Sequence, residues 1–194
     1  MRRIHPIERE SYRILRDMVD LSHLGPLSRA VAERVIHASA DLDYAASLIL
    51  DEAALESGIS ALRRSESVVT DVGMVAAGIT GRKTLCFVSD ARAQALSKQF
   101  GITRSAAGFR VAAEEVDKGA VWVVGNAPTA LFELLGLDVA ASLVIGLPVG
   151  FVGAVESKEA LVASGLPAVA NRSPKGGSAV AAAALNALIY YEEE

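Results

Sequence analysis

The strongest constraint on the fold is a repeating order of strand, loop and helix signals that begins after residue 66. Five short apolar runs, each followed by glycine, asparagine or aspartate and then by a helix-like stretch, lie at Ser67–Val72, Thr84–Val88, Ala120–Val124, Ser142–Ile145 and Pro167–Ala170. Strands that alternate with helices form right-handed βαβ units around a parallel sheet. The pattern therefore predicts the α/β class, as a single three-layer αβα domain with a mostly parallel sheet of about five strands.

The first third of the chain has helical periodicity instead. Apolar residues recur at helical spacing there, and further helices are indicated after the strands. The predicted helices begin at Pro6 and near Ser28 and then cover Leu42–Leu50, Ala53–Arg64, Pro128–Leu137, Ser157–Ser164 and Gly176–Tyr191. Because the sequence has no internal repeat and no linker-like segment, residues 1–194 are predicted to form one domain.

Composition limits the partners and the compartment. The net charge is −4, from 19 Lys and Arg against 23 Asp and Glu, which disfavours nucleic acid but leaves a small anionic ligand open. The apolar stretches are too short or too interrupted for a signal peptide or a membrane span, so no membrane association is expected. The one cysteine, Cys86, lies in an apolar run and fits a core position in a cytoplasmic protein.

A ligand site is expected beyond the carboxyl ends of the strands, where open parallel sheets bind their ligands. The loops predicted at that edge are Asp71–Met74, Val88–Arg92, Gly125–Pro128, Gly146–Gly153 and Asn171–Gly177. Their glycines precede helices, so backbone N–H groups there favour anions. Tight turns and close helix–sheet packing also require glycine, and for each loop taken singly that interpretation is the stronger one.

Nucleotide and metal chemistry lack their usual motifs. No Gly-x-Gly-x-x-Gly opens the first strand–helix turn and no phosphate-binding loop with Gly-Lys-Ser/Thr is present, which leaves a nucleotide-binding domain as the weakest alternative. The histidines His5, His23 and His37 are not spaced as zinc ligands, and no Gly-x-Ser-x-Gly is present. We therefore expect no metal and no nucleophilic triad.

His37 is the best single candidate for chemistry. It ends a helical run in which Arg34 lies three residues before it, on roughly the same helical face. Imidazole titrates near neutral pH and can donate or accept a proton in a reaction. A single histidine more often has a structural hydrogen bond, so the residue pattern alone leaves both roles open.

Several segments, taken together, carry a family resemblance. They are His5-Pro6-Ile7-Glu8 with Ser11-Tyr12, Arg34–Ala38, Asp71–Ile79, Thr103–Ala107, Val124–Leu131, Pro148–Lys158, and Gly176-Gly177-Ser178 running into Ala182–Leu188. In order and spacing, from about Ile4 to Leu188, the chain resembles the precorrin-8X methylmutase family, also called precorrin isomerase.

The resemblance implies an isomerase of cobalamin biosynthesis that needs no cofactor. Its tetrapyrrole substrate would be precorrin-8X or cobalt-precorrin-8, and a methyl group would move from C11 to C12 to give hydrogenobyrinate or cobyrinate. By the same resemblance, His37 is the general acid, Ser11 contacts the substrate and Arg104 lies at the substrate pocket. A homodimer is implied as well, with possible hand-over of product to the next enzyme of the pathway.

Further basic and glycine residues are candidates for holding the carboxylates of such a substrate. They are Arg34, Lys175, Gly176 and Gly177, together with Arg104. For Arg34 a structural ion pair with a nearby acid is an equal alternative, and Lys175 fits an exposed lysine as well. A corrinoid-binding carrier protein that retains and hands on product is the alternative function, and it should tolerate replacement of His37.

Overall fold

The computed structural model describes residues 5–192, so both ends of the predicted domain, residues 1–4 with Ile4 of the family resemblance and residues 193–194, lie outside it. The elements are α1 Pro6–Met18, α2 Pro26–Ser39, α3 Tyr44–Ser47, β1 Leu48–Ile49, α4 Glu52–Arg63, β2 Val68–Thr70, α5 Gly73–Gly78, α6 Ala91–Phe100, α7 Arg104–Glu115, β3 Val121–Val124, α8 Pro128–Gly136, β4 Leu143–Gly146, α9 Ala154–Ala163, β5 Ala168–Asn171 and α10 Ser178–Ile189.

The strands form one five-stranded sheet in the order β1-β5-β4-β3-β2. β2, β3, β4 and β5 are parallel, and β1 pairs with β5 in the antiparallel direction, with Leu48 opposite Asn171. The predicted α/β class with a mostly parallel sheet of this size is confirmed. The carboxyl ends of the four parallel strands lie at one edge, which is where the sequence places a ligand site.

Helices cover both faces of the sheet, because alternate residues of each buried strand point to opposite sides. Val121 and Val123 pack in the core beneath α2, α4 and α10, whereas Trp122 and Val124 pack beneath α7 and α8. The crossovers between β2, β3, β4 and β5 all run in one direction across the sheet, so the rule of right-handed connections places α7, α8 and α9 on the same face. The first helices and α10 cover the other face.

Two of the sequence predictions were wrong in detail. Thr84–Val88 is not a strand, because Leu85 makes only an isolated parallel bridge with Val69 before the chain turns at Phe87–Asp90 into α6. The predicted helix Leu42–Leu50 ends after one turn at Ser47, and Leu48–Ile49 become β1 instead. At Leu48–Ile49 pairing with β5 outweighs the local helical pattern, whereas at Thr84–Val88 the strand-like pattern lacks continuous pairing with a neighbouring strand.

The start of α2 is capped from another helix. The carboxylate of Glu52 on α4 accepts hydrogen bonds from the backbone N–H groups of Leu27 at 2.7 Å and Ser28 at 3.0 Å, and from the Ser28 hydroxyl at 2.6 Å. These donors would otherwise lack partners at the helix start. The cap fixes the position of the helix that carries His37.

We expect Glu52→Ala to lower the free energy of unfolding by about 1–2 kcal/mol, the usual loss for a helix cap. Urea unfolding followed by circular dichroism measures the change. Glu56→Ala, an exposed position on the same helix, is the matched control and should change stability by less than about 0.5 kcal/mol. Equal losses in the two variants would contradict the capping role.

Candidate active site

His37 lies near the end of α2, against α1. Its Nδ1 is 2.9 Å from the Ser11 hydroxyl oxygen, and its ring stacks on Tyr12 with the centroids 4.8 Å apart and an interplanar angle of 18°. Within residues 5–192 its Nε2 has no hydrogen-bond partner. The imidazole is therefore fixed in plane and orientation through one nitrogen while the other stays available for a ligand.

Arg34 lies one turn before His37 and joins the same two helices. Its Nη1 is 3.1 Å from the Glu8 carboxylate and 3.3 Å from the Tyr12 hydroxyl. Burial raises the pKa of the Tyr12 hydroxyl above its usual value, so the phenol stays protonated at neutral pH. The structural ion pair considered for Arg34 is thus present, and its contact with a substrate stays a prediction.

Lys175 connects the loop after β5 to the segment that follows His37. Its amine lies 2.7 Å from the carboxylate of Asp41 and 2.6 Å from that of Asp43. The hydrogen bond to Asp41 and the one to Asp43 raise the pKa of Lys175, and the same amine lowers the pKa of Asp41. The charge of Lys175 is therefore balanced by two carboxylates in this structure, although the side chain remains partly exposed.

Gly176 and Gly177 serve the close approach of two loops. A Cβ atom on Gly176 would lie 2.3 Å from the carbonyl oxygen of Leu147 and 2.5 Å from that of Pro148. Gly177 has a φ of 129° and donates its N–H to Leu147 at 2.9 Å, directly before α10 begins. Close packing of the loops thus accounts for Gly176 and the positive φ accounts for Gly177, and contact of either one with a substrate stays a prediction.

Arg104 is the first residue of α7 and is exposed. The hydroxyls of Thr103 and Thr129 are 2.7 Å apart and join the start of α7 to the first turn of α8, which follows β3. Arg104 therefore lies on the α7–α8 side of the carboxyl edge, away from the Ser11–His37 pair on α1 and α2. Its guanidinium has no ion pair within residues 5–192, so it is available to a ligand.

Asp71 is a buried acid whose role the sequence did not reveal. Only 1% of the residue is exposed, and its carboxylate accepts the N–H groups of Gly125 at 3.2 Å, Asn126 at 2.8 Å and Ala127 at 2.8 Å. Burial raises the pKa of Asp71, and the three hydrogen bonds oppose that rise. The carboxylate ties the loop after β2 to the loop after β3. The only sequence signal was an acid that directly ends an apolar strand.

Lys158 is a second buried charge that the sequence analysis did not single out. It is 1% exposed on α9, and its amine donates to the Asn171 side chain at 2.8 Å, to the carbonyls of Lys175 at 2.9 Å and Pro148 at 3.3 Å, and to that of Ser173. Burial lowers its pKa to about 8. No local pattern predicts this, because a lysine in an amphipathic helix is usually exposed.

The loop between β4 and α9 presents apolar side chains to solvent at the same edge. Phe151 is 99% exposed and Val152 89%, and the glycines on either side, Gly150 and Gly153, both have positive φ angles. Exposed apolar groups of this size mark a surface that contacts a ligand or another protein. The edge thus combines basic groups, a histidine and an apolar surface.

Within residues 5–192, none of the helices is long and apolar enough to cross a membrane. Nor do histidine, cysteine, aspartate and glutamate side chains in this part of the chain gather into a group that could hold a metal ion.

Comparison with known proteins gives consistent matches. The family model described as CbiC, precorrin-8X methylmutase, matches residues 6–191. The cobalt-precorrin-8 methylmutase of Salmonella typhimurium is 44% identical over 97% of this chain and 95% of its own length. The precorrin-8X methylmutase of Pseudomonas aeruginosa is 41% identical over 94% and 93%. The crystal structure of precorrin-8X methylmutase from Thermus thermophilus superposes with a TM-score of 0.86 at 34% identity, covering 94% of this chain and 93% of that one.

Proposed function

This chain belongs to the precorrin-8X methylmutase family, and we propose that it moves the methyl group at C11 of precorrin-8X or cobalt-precorrin-8 to C12. The product is hydrogenobyrinate from the metal-free ring and cobyrinate from the cobalt-bearing one. The observation that supports this proposal in the present chain is the hydrogen bond of 2.9 Å between Ser11 and His37, which fixes the orientation of the His37 imidazole.

The reaction requires from the protein a proton donor and rigid binding of the macrocycle. The methyl group migrates within one molecule, so no redox carrier and no external nucleophile take part. His37 supplies a proton from Nε2 to the ring system as its bonding changes and recovers it when the new arrangement is complete. Ser11 holds Nδ1 and Tyr12 holds the ring plane, so the proton is delivered from a fixed position.

The carboxylates of the macrocycle need cationic partners. The guanidinium of Arg104 forms no ion pair within residues 5–192 and offers a bidentate contact to one of them. Arg34 and Lys175 already hold acids, so either one engages the substrate by sharing or exchanging its present partner. Gly176 and Gly177 place the start of α10 at the same edge, where its N–H groups favour a carboxylate.

Ser11→Ala is expected to lower kcat by about fivefold, because loss of one hydrogen bond of about 1 kcal/mol releases the imidazole ring from its orientation. Steady-state kinetics with purified variant and substrate measure the change. Ser22→Ala, an exposed serine in the turn after α1, is the matched control and should leave kcat unchanged. A Ser11→Ala variant with wild-type kcat would show that Ser11 does not orient His37.

The test of the function is anaerobic incubation of the purified protein with precorrin-8X and, separately, with cobalt-precorrin-8. The absorption spectrum follows conversion, and the product is identified by mass spectrometry and NMR. Conversion of either substrate supports the methylmutase, and the relative kcat/KM values assign the preferred ring. Binding of both without conversion supports the carrier protein, and absence of any spectral change removes both functions.

We further propose a homodimer that works in the cytoplasm and hands its product on to the next enzyme of the pathway. The exposed Phe151 and Val152 support a protein contact beside the site, as do Ile7 and Met18, which are 74% and 62% exposed on α1. Sedimentation equilibrium distinguishes monomer from dimer. A monomer with full activity would remove the dimer and any role of a second subunit in the site.

A further inference from the structure

The loops at the carboxyl ends of β4 and β5 are joined around one amine. Lys158 comes up from α9 and donates to Pro148 in the first loop and to Ser173 and Lys175 in the second, as well as to Asn171 at the end of β5. These contacts link three separate segments of the chain at a point that is closed to solvent. The amine is thus the shared centre of the two loops.

Further hydrogen bonds connect the loops after β4 and β5 beyond the Lys158 amine. The Asn171 side-chain amide donates to the Lys175 carbonyl at 3.1 Å, Gly150 donates its N–H to Pro174 at 3.1 Å, and Gly177 donates to Leu147 at 2.9 Å. The two loops therefore hold one arrangement up to the first residue of α10. Removal of the Lys158 amine is therefore expected to change the position of Gly177 and of the residues beside it.

The contacts of Lys175 also connect these loops to the end of α2, the helix that carries His37. The Lys175 backbone carbonyl binds Lys158, and the Lys175 side chain binds Asp41 and Asp43, which follow α2 directly. The position of one loop residue is thus set by Lys158 on one side and by the end of α2 on the other.

We propose that Lys158 is a positioning residue for the methyl transfer: its ammonium group holds the loops after β4 and β5 together and sets the place of Lys175, Gly176 and Gly177 at the substrate site. The proposal rests on the proposed function. Lys158 does not touch the substrate and acts only through the loop residues.

The charge state follows from the contacts. An ammonium has three N–H donors for the four oxygens around Lys158, whereas the neutral amine has two donors and turns a lone pair toward carbonyl oxygens. With a pKa lowered from 10.5 to about 8 by burial, the amine is protonated below pH 8 and loses its proton as the pH rises through that value. The hydrogen bonds of Lys158 to the loops therefore weaken as the pH rises.

Neighbouring charges do not change this assignment. The charged residues on the elements packed against Lys158 are Glu156 and Glu159 on α9, Glu133 on α8, and Arg172 and Lys175 after β5. Within residues 5–192 none of them forms an ion pair with its amine, since Glu133 binds Arg110 and Lys175 binds Asp41 and Asp43. A buried ammonium without a carboxylate is unfavourable for stability, which argues for a role in placing the loops.

Lys158→Met keeps the length of the side chain and removes its donors. We expect KM to rise about tenfold at pH 7, with kcat changed by less than about threefold, because loss of loop contacts weakens substrate binding. The wild-type KM should rise above pH 8, and the variant should lack that rise. Lys158→Gln retains two donors and should fall between the two.

Two controls separate position from stability. Leu161→Ala removes a buried side chain from the same helix and should lower Tm while leaving KM unchanged. Lys118→Met, in the turn before β3 at the opposite edge, should leave KM and Tm unchanged. A rise in KM for Leu161→Ala as large as that for Lys158→Met would overturn the proposal, as would an unchanged KM for Lys158→Met.

Hydrogen exchange of the substrate-free protein provides a readout that does not depend on turnover. In Lys158→Met at pH 7, the segments 147–153 and 172–178 should exchange several-fold faster than in the wild type, while β3 stays as protected. Equal exchange rates of these segments in the two proteins would show that Lys158 does not hold the loops together. If the wild type converts neither substrate, the proposed function fails, and the exchange rates still decide whether Lys158 holds the loops.

Discussion

His37→Ala is expected to lower kcat for methyl migration by about 10²–10⁴-fold, the range that a positioned general acid contributes. The variant loses the proposed proton donor but keeps the loops and basic groups that we propose to bind the macrocycle. Product affinity should therefore stay within about threefold of the wild-type value. Single-turnover spectroscopy under anaerobic conditions measures the rate, and titration with product measures the affinity.

Two further variants make the result specific. His37→Gln keeps a side-chain amide within reach of Ser11 but cannot transfer a proton near neutral pH, so its rate should be close to that of His37→Ala. His23→Ala changes an exposed histidine in the turn after α1 and should retain wild-type kcat. Conversion by His37→Ala at the wild-type rate would contradict the general-acid role, and rescue by His37→Gln would assign His37 an orienting role instead.

The layers of the fold were predictable because the parallel strands are buried on both faces. Runs such as Val121–Val124 and Leu143–Gly146 have no polar alternation, and each is followed by a glycine or asparagine turn and a helix. Thr84–Val88 has the same composition but turns into α6 after one bridge. Leu48–Ile49 pair with β5 over only two residues. Strand pairing over so few residues depends on tertiary neighbours, which local sequence does not specify.

The candidate site was predictable only in part. His37 is identifiable as a lone titratable group near a helix end, but its partner Ser11 is 26 residues away and was indicated only by the family resemblance. The acids that balance Lys175 are 134 and 132 residues away in sequence. Lys158 and Asp71 are buried through contacts between loops, so their surroundings exist only in the folded chain.

These contacts form two groups of positioning residues, one around His37 and one in the loops at the carboxyl ends of the strands. Ser11 and Tyr12 on α1 orient His37 on α2, and Glu52 on α4 caps the start of α2. Lys158 and Asp71 hold the loops at the carboxyl ends of the strands. Lys175 connects the two groups through its ion pairs with Asp41 and Asp43. Changes to Ser11, Tyr12 or His37 should thus act mainly on kcat, changes to Lys158 mainly on KM, and changes to Glu52 or Asp71 mainly on stability.

The largest loss of stability is expected from Asp71→Ala, which should lower the free energy of unfolding by about 3–5 kcal/mol. The variant leaves the N–H groups of Gly125, Asn126 and Ala127 without their acceptor, and each of these donors that water cannot reach costs about 1–3 kcal/mol. Urea unfolding at constant pH measures the loss. Asp138→Ala, an exposed acid after α8, is the control and should lie within about 0.5 kcal/mol of the wild type.

Asp71→Asn separates the charge of this residue from its hydrogen bonds. Its amide oxygen still accepts, so we expect a loss of about 1–2 kcal/mol, smaller than for alanine. Because burial raises the folded-state pKa of Asp71 above 3.8, the folded protein retains a proton that the unfolded chain releases. Wild-type stability relative to Asp71→Asn should therefore fall as the pH rises from about 4 through the folded-state pKa, and then level off. A relative stability that instead rises with pH over this range would show that the three N–H donors outweigh burial and hold Asp71 as a carboxylate.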